Sequence, residues 1–391
     1  MGIREKALAL HKKLHGKISI ESKAKVKSLR DLDLLYTPGV ADVSREIAKN
    51  KSLAYEYTSK WNMVAIVSDG TRVLGLGDIG PEAAMPVMEG KALLLKVFGG
   101  VDAFPICLAT KDAEQIIQTV KAIAPSFGGI NLEDIQSPKV FEIEKRLTEE
   151  LDIPVFHDDQ HGTATVVLAA LINAFKVTGK NFSTAKIVIA GAGAAGIGIA
   201  RLLHAYGGQN IFLVDSQGIL YRGRENNMNP YKEEALKFTN RGNFRGSLKD
   251  ALDKADVFIG VSGKENLVSA DDLRKMDENA IAFAISNPTP EIFPEDAKKA
   301  KNVKILATGR SDFPNQINNS LIFPAMFRGI LDARVRKVTE RMKIVAAEAL
   351  ANYIPDKKLK PDYIIPRMTD KGVFEKVSKA VFAEAKREIQ D

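Results

Sequence analysis

The feature that most restricts this chain is a short β-rich run, residues 186–190, that leads straight into Gly191-Ala192-Gly193-Ala194-Ala195-Gly196. A helical stretch then runs to Tyr206, Gly207-Gly208 stops it, and a second apolar run at residues 211–214 ends in Asp215. A glycine triplet alone says little, because tight turns use glycine for many reasons. Strand, glycine turn, helix, second strand and terminal acid in that order are far more restrictive. They describe a βαβ unit whose first turn receives a pyrophosphate on a helix N-terminus. Asp215 lies 19 residues beyond Gly196, where such units carry the acid that binds the ribose hydroxyls. Gly191, Ala192, Gly193, Ala194, Ala195, Gly196 and Asp215 are therefore expected to hold a dinucleotide. Further apolar runs at residues 257–261, 281–285 and 304–307 continue the alternation and predict a Rossmann-type α/β sheet.

A second α/β region precedes it, with strands expected at residues 63–67, 103–107, 129–132 and 154–156. Two of these runs end in acids, Ile130-Asn131-Leu132-Glu133-Asp134 and Phe156-His157-Asp158-Asp159, joined by a charged helical stretch at residues 137–151. As adjacent parallel strands of a right-handed βαβ unit they would bring Glu133, Asp134 and Asp159 to one sheet edge, where open α/β sheets bind ligands. Each acid taken singly reads equally well as a helix N-cap or a wet strand end. Independent caps, however, have no reason to converge. Three hard oxygen donors without a cysteine partner suit Mg²⁺ or Mn²⁺ and not zinc. Asp158 stands open between a partner of this cluster and a cap.

At 391 residues the chain is expected to form two domains, and a 45% hydrophobic content supplies their cores. We place the first at residues 1–157, completed by C-terminal helices at 319–391, and the dinucleotide domain at 158–318. Net charge is +7, but Lys and Arg are interleaved with Asp and Glu, which suits small anionic substrates and argues against a nucleic-acid partner. Cys107 is the only cysteine, so internal disulfides and cysteine-based zinc sites are excluded and a reducing, cytoplasmic setting is expected. Cys107 itself reads as a small core residue. The first sixteen residues lack an apolar segment of signal-peptide length, and the longest apolar run, residues 164–175, is too short to span a bilayer. It predicts a buried helix, and no membrane partner. Residues 1–60 read as mainly helical and polar, while residues 326–353 and 373–389 read as long amphipathic helices packing back on the first domain.

A nicotinamide site beside a carboxylate-held divalent metal points to hydride transfer from an alcohol whose oxygen the metal holds. If the substrate carries a β-carboxylate, the resulting ketone becomes an electron sink for decarboxylation. Such chemistry needs a base for the hydroxyl proton and an acid for the enolate carbon. At this point the chain resembles the malic enzymes of short prokaryotic type. The resemblance rests on Tyr36-Thr37-Pro38-Gly39-Val40-Ala41, Val73-Leu74-Gly75-Leu76-Gly77-Asp78-Ile79-Gly80, Glu89-Gly90-Lys91-Ala92, Asn131-Leu132-Glu133-Asp134, His157-Asp158-Asp159-Gln160-His161-Gly162-Thr163, Ser286-Asn287-Pro288-Thr289 and Asn318-Asn319, in order along almost the whole chain. It implies oxidative decarboxylation of (S)-malate to pyruvate and CO₂. It also implies Tyr36 as general acid, Lys91 as general base and Glu133, Asp134 and Asp159 as metal ligands. Arg72 and Asn319 would hold substrate carboxylates, and Asn287 would sit by the nicotinamide ribose.

The residues by themselves support these roles unequally. Lys91 lies at the edge of an apolar stripe (Met85, Met88, Ala92, Leu95) on a helix expected from Pro81 to Phe98, where partial burial would lower its pKa. Lys96 lies equally near that edge, and periodicity does not choose between them; a snorkelling lysine is the plainer reading of either. Tyr36 precedes a turn and reads as an anchoring aromatic. Arg72 reads as a surface charge or a carboxylate fork, and Asn287 equally as a turn residue. His157 and His161 are left out of the site. Asp215 favours NAD over NADP, although Arg222, Arg224 and Lys232 follow closely, and the resemblance puts Lys232 near a position linked to NADP preference.

Two other functions compete, an oxaloacetate decarboxylase with a vestigial dinucleotide site and a non-enzymatic dinucleotide-responsive protein. The first is opposed by the intact fingerprint with Asp215, the second by the company of Tyr36, Lys91 and three carboxylates. For assembly, residues 1–35 carry sparse apolar positions such as Leu8 and Leu14 that form no core alone. A homodimer with Tyr36 carried into a neighbour's site is expected on equal terms with docking of the segment on its own domain.

Overall fold

The computed structural model describes residues 2–390. Its first sheet contains β1 (Met63–Ser68), β2 (Asp102–Cys107), β3 (Gly129–Leu132) and β4 (Val155–His157) in the order β2-β1-β3-β4, all parallel. Val64, Ala65, Ile66 and Val67 are fully buried, as expected for a parallel strand covered on both faces by helices. The second sheet contains β5 (Lys186–Ala190), β6 (Asn210–Asp215), β7 (Gly218–Ile219), β8 (Val257–Gly260), β9 (Ala280–Ala284) and β10 (Val303–Thr308). Its order is β10-β9-β8-β5-β6-β7, parallel except for the short β7 on the edge, so the expected Rossmann-type sheet is present.

The helix Asp158–Thr178 joins the two sheets and is buried along most of its length, ending at Gly179 in the left-handed region (φ 73°). It can lie against the helix Ala194–Ala205 because Gly198 has no side chain; a Cβ there would come within 2.7 Å of the Gln160 backbone oxygen. The C-terminal helices pack back on the first sheet's layer. In the helix Phe323–Ala333, Arg328 donates to Asn62 Oδ1 at 2.6 Å. In the helix Val373–Gln390, Phe374 stacks on Phe98 at 4.5 Å between ring centroids.

Two expectations need correction. The single helix expected over residues 326–353 is two, Phe323–Ala333 and Glu340–Ala351. The first stops at Arg334 in the left-handed conformation (φ 57°), and Thr339 caps the second by accepting from the Met342 N–H. Cys107 is half-buried, not core, because it ends β2 on the sheet edge, with its Sγ 3.6 Å from Met85 Sδ.

The N-terminal segment is unlike the rest. The helices Ile3–Leu14, Leu29–Leu35 and Val40–Lys49 bury no residue, and Ile3, Leu8, Leu29, Leu34, Leu35 and Tyr36 are all exposed.

Candidate active site

A cleft of about 1160 Å³ opens between the C-terminal ends of the two sheets, the position at which open α/β sheets take their ligands. On the side of the first sheet, Glu133 and Asp134 follow β3 directly, and Asp159 sits in the first turn of the helix that follows β4. Because β3 and β4 are parallel neighbours, the three carboxylates meet, each offering an oxygen within 4.8 Å of the others. The Asp134 N–H donates to Asp159 Oδ2 at 2.9 Å, and Asn131 donates to Glu133 Oε2 at 2.9 Å.

Burial, and then the charge of Asp159, pushes the Asp134 carboxyl up to about 8. Burial also drives Glu133 well above the usual carboxylate range despite the ammonium of Lys91 beside it. Asp134 Oδ2 is buried without a hydrogen-bond partner among the described residues. Three hard-oxygen donors that a single neighbouring ammonium only partly offsets, with one orphaned acceptor, are what a divalent cation such as Mg²⁺ or Mn²⁺ would satisfy. These residues fit the cation.

Lys91 lies on the helix Pro81–Gly99, which Pro81 opens at its first turn and Gly100 closes at φ 64°. Its Nζ is 2.8 Å from Glu133 Oε1, pairs closely with the fully buried Asp158, reaches Asn319 Oδ1 at 3.4 Å, and lies 4.5 Å from the centre of the Phe323 ring. Lys96 instead points outward and pairs with Asp102 at 2.6 Å, so the tertiary structure separates two lysines that periodicity could not. The expected fall in the Lys91 pKa is reversed. Burial does oppose the charge, but Asp158, Glu133 and Asp159 outweigh it and raise the pKa above the ordinary lysine range. Asp158 is thus the partner that fixes Lys91 and not a mere cap. Its oxygen needs the bare Cα of Gly162 one turn on, where a Cβ would sit 1.8 Å from Asp158 Oδ1.

Arg72 and Asn319 line the same part of the cleft, and Asn287 lines it from the end of β9. His161 stays outside, with Nε2 2.6 Å from Glu144 Oε1 and Nδ1 3.2 Å from Lys343 Nζ. Tyr36 is not brought to this group. It caps the helix Leu29–Leu35, is 70% exposed, and does not line the cleft of its own chain. No local signal in the sequence distinguishes a side chain that serves its own domain from one presented outward.

On the side of the second sheet the glycine turn follows β5. Gly191 adopts φ 122° and passes within Cβ-clash distance (2.7 Å) of the Val261 carbonyl oxygen, so only glycine fits. Gly193 precedes the helix Ala194–Ala205, with only Ser137 Oγ at 3.6 Å from where a Cβ would be, leaving its backbone open to a pyrophosphate. Gly191 to Ala195 line the cleft, but Gly196 does not: it lets the helix pack on the turn, since its Cβ would lie 1.7 Å from the Gly191 oxygen.

Asp215 lines the cleft at the end of β6, but not as a free acceptor. Oδ1 accepts from Arg224 Nη1 and the Gln217 N–H, both at 2.9 Å. Oδ2 accepts from Arg224 Nη2, Lys232 at 2.8 Å and Asn227 at 3.0 Å. A carboxylate offers about four lone-pair positions, so these five donors leave none for a ribose hydroxyl. Burial alone would raise this carboxyl, but Arg224 and Lys232 hold it below the usual range. Arg222 turns away to the Leu236 and Arg241 backbone oxygens. The reason for expecting NAD in preference to NADP is therefore removed.

A dinucleotide fold, a pocket of hard carboxylate oxygens and a paired lysine together define a dinucleotide-dependent oxidoreductase of the α/β class. Comparison with known proteins places it further. The family model for the malic enzyme N-terminal domain matches residues 15–148, and that for the malic enzyme NAD binding domain matches residues 160–386. A bifunctional malic/malolactic enzyme of Bacillus subtilis is 54% identical over 381 residues, covering 97% of this chain and 92% of its own. An NAD-dependent malic enzyme of Geobacillus stearothermophilus is 54% identical over 387 residues, covering 99% and 80%. The crystal structure of malic enzyme from Pyrococcus horikoshii superposes with a TM-score of 0.94 at 50% identity, covering 99% of this chain and 91% of that one. The chain belongs to the malic enzyme family, and binds NAD(P).

Proposed function

We infer that this enzyme carries out the oxidative decarboxylation of malate to pyruvate and CO₂, with reduction of NAD(P), in the half of the cleft bounded by Lys91 and the three carboxylates. The observation that carries the reading is the placement of Lys91 Nζ between Glu133 and Asp158, beside Asn319 and next to the converging Asp134 and Asp159. Glu133, Asp134 and Asp159 would hold a divalent cation, which when bound supplies Lewis-acid polarisation of the substrate's C2 oxygen. With the carboxylate charge that keeps it protonated offset by a bound cation, Lys91 would serve as the base at Nζ, with Asp158 fixing its position. Arg72 and Asn319 hold the substrate carboxylates, and the guanidinium of Arg72 suits a bidentate grip. Asn287 lies by the nicotinamide ribose.

Tyr36 protonates the enolate carbon, and it comes from a second copy of the chain. Large apolar side chains exposed together on one segment mark an interaction surface. Leu8, Leu29, Leu34 and Leu35 lie on the same segment as Tyr36, and all are exposed. A symmetric dimer would cover both surfaces and complete both sites. The single cysteine fits a reducing, cytoplasmic setting.

The test is a spectrophotometric assay with malate and Mn²⁺, followed by mixing inactive Tyr36→Phe and Lys91→Ala chains under conditions of subunit exchange. Activity should depend on the cation and return in the hybrids toward about half per dimer by symmetry. Full activity after EDTA treatment would remove the metal assignment, and verified hybrids without activity would remove the shared site.

A further inference from the structure

Glu291 is a fully buried acid that none of the roles above uses. It follows β9 and its carboxylate lies beneath the ends of β8 and β9, packed so closely on Gly260 that a Cβ there would be 2.5 Å from Glu291 Cδ. Oε1 accepts from the Ser262 N–H at 2.9 Å, Ser262 Oγ at 3.2 Å and Ser286 Oγ at 2.5 Å, and Oε2 accepts from the Ser286 N–H at 3.3 Å. Ser286 Oγ in turn accepts from the Gly263 N–H at 2.9 Å.

All these donors belong to two segments, Val261 to Lys264 after β8 and Ile285 to Asn287 after β9, and both line the cleft. Among the described residues, no lysine or arginine hydrogen-bonds to it. A carboxylate taken out of water is costly unless its oxygens are fully engaged, so the group is stable only while both segments keep this arrangement. The segments also approach the first sheet's side of the cleft: a Cβ on Gly263 would be 3.3 Å from Arg72 Nη2, and one on Gly75 would be 2.9 Å from the Asn287 backbone oxygen.

We propose that Glu291 is a positioning residue that, through Ser262 and Ser286, fixes the two segments on which the nicotinamide end of the dinucleotide rests. The inference rests on the dinucleotide reading of the cleft. Glutamine has the same shape, and with its carbonyl at the Oε1 position it still accepts from Ser262 and from Ser286 Oγ, but it carries no charge and sets its amide NH₂ against the Ser286 N–H. It therefore holds both segments less tightly than the carboxylate does.

Fluorescence titration of Glu291→Gln with NADH should show a dissociation constant raised roughly tenfold, as expected when charged hydrogen bonds are lost. The KM for the oxidised dinucleotide should rise in step, with kcat and the KM for malate changed by less than about threefold. Adding Ser286→Ala to Glu291→Gln should cost little beyond the single change, because the two act through one contact. An unaltered NADH affinity would overturn the proposal. So would a fall in melting temperature with kcat and both KM values worsening together, since that is general destabilisation. NADH binding needs no malate turnover, so failure of the malate reaction in the wild-type protein would count against the proposed function and leave this measurement intact.

Discussion

Both sheets end in acids at the same cleft, and the two groups are in opposite electrostatic states. At the first sheet, Glu133, Asp134 and Asp159 crowd together with one lysine near them, and burial pushes Glu133 and Asp134 above the usual range. At the second, Asp215 is saturated by Arg224, Lys232, Asn227 and a backbone N–H, and its carboxyl is held low. Both groups stand at the C-terminal ends of parallel strands. What differs is whether the chain supplies its own cations. One group is built with a deficit that a metal can fill, whereas the other is already neutralised by Arg224 and by Lys232, which itself lines the cleft. An acid at a strand end thus indicates a site but not what the site binds.

Removing a carboxylate from the deficient group should break function and spare stability. Asp134→Asn should lower malate oxidation by roughly 10³-fold or more, since several kcal/mol of polarisation are lost. The melting temperature of the metal-free protein near neutral pH should stay level or rise, because the cost of burying an acid whose carboxyl is pushed up to about 8 is removed. Retained activity, or a marked loss of stability, would remove the deficit picture. Tyr36→Phe separates function from packing in another way. Deuterium exchange at the pyruvate methyl group should slow by roughly 10² to 10⁴. The melting temperature should stay close to that of the wild type, because the ring that packs is kept and only the hydroxyl is lost.

The same contrast explains how much is legible in the sequence. The glycine turn from Gly191 to Gly196 and the paired strand ends at Asp134 and Asp159 are readable because each is local, and the βαβ rule supplies the one long-range step. The saturation of Asp215 is legible only in part: Arg224 and Lys232 follow it closely enough to compensate its charge, but that these two and Asn227 reach it, and Arg222 does not, depends on how the loop after β7 folds over. Lys91 and Lys96 are inseparable for a related reason: they flank one stripe, and only Asp158, brought from another element, chooses between them. Glu291 carries no motif at all. Its role depends on two segments meeting under adjacent strands. Tyr36 is placed by resemblance, and its own chain does not bring it to the cleft.

At the neutralised group the effect should be on choice more than on rate. Asp215→Asn leaves Arg224 and Lys232 without their anion at the ribose end of the cleft, so a 2′-phosphate should gain relative to a hydroxyl. The ratio of kcat/KM for NADP to that for NAD should rise roughly tenfold, the scale of one charged contact. An equal fall for both cofactors would mean that Asp215 is structural only.

The smallest effect is expected where water, and neither a metal nor a built-in cation, sets the state of an acid. Asp78, in the loop before the helix Pro81–Gly99, pairs with Lys111 at 2.6 Å, but the two side chains are 46% and 59% exposed. At such exposure the attraction is screened and offset by side-chain ordering, so an ion pair contributes little whatever its length. Lys111→Ala should therefore change stability by less than about 1 kcal/mol. The backbone oxygen of Lys111, which accepts from Lys139 Nζ at 3.0 Å, is unaffected by the substitution. Turnover should stay within about twofold, because neither side chain lines the cleft. Melting curves in low and high salt provide the check. A loss above this range that salt abolishes would show that Asp78 belongs with the buried acids, and the division of the three into deficient, neutralised and solvated would fail.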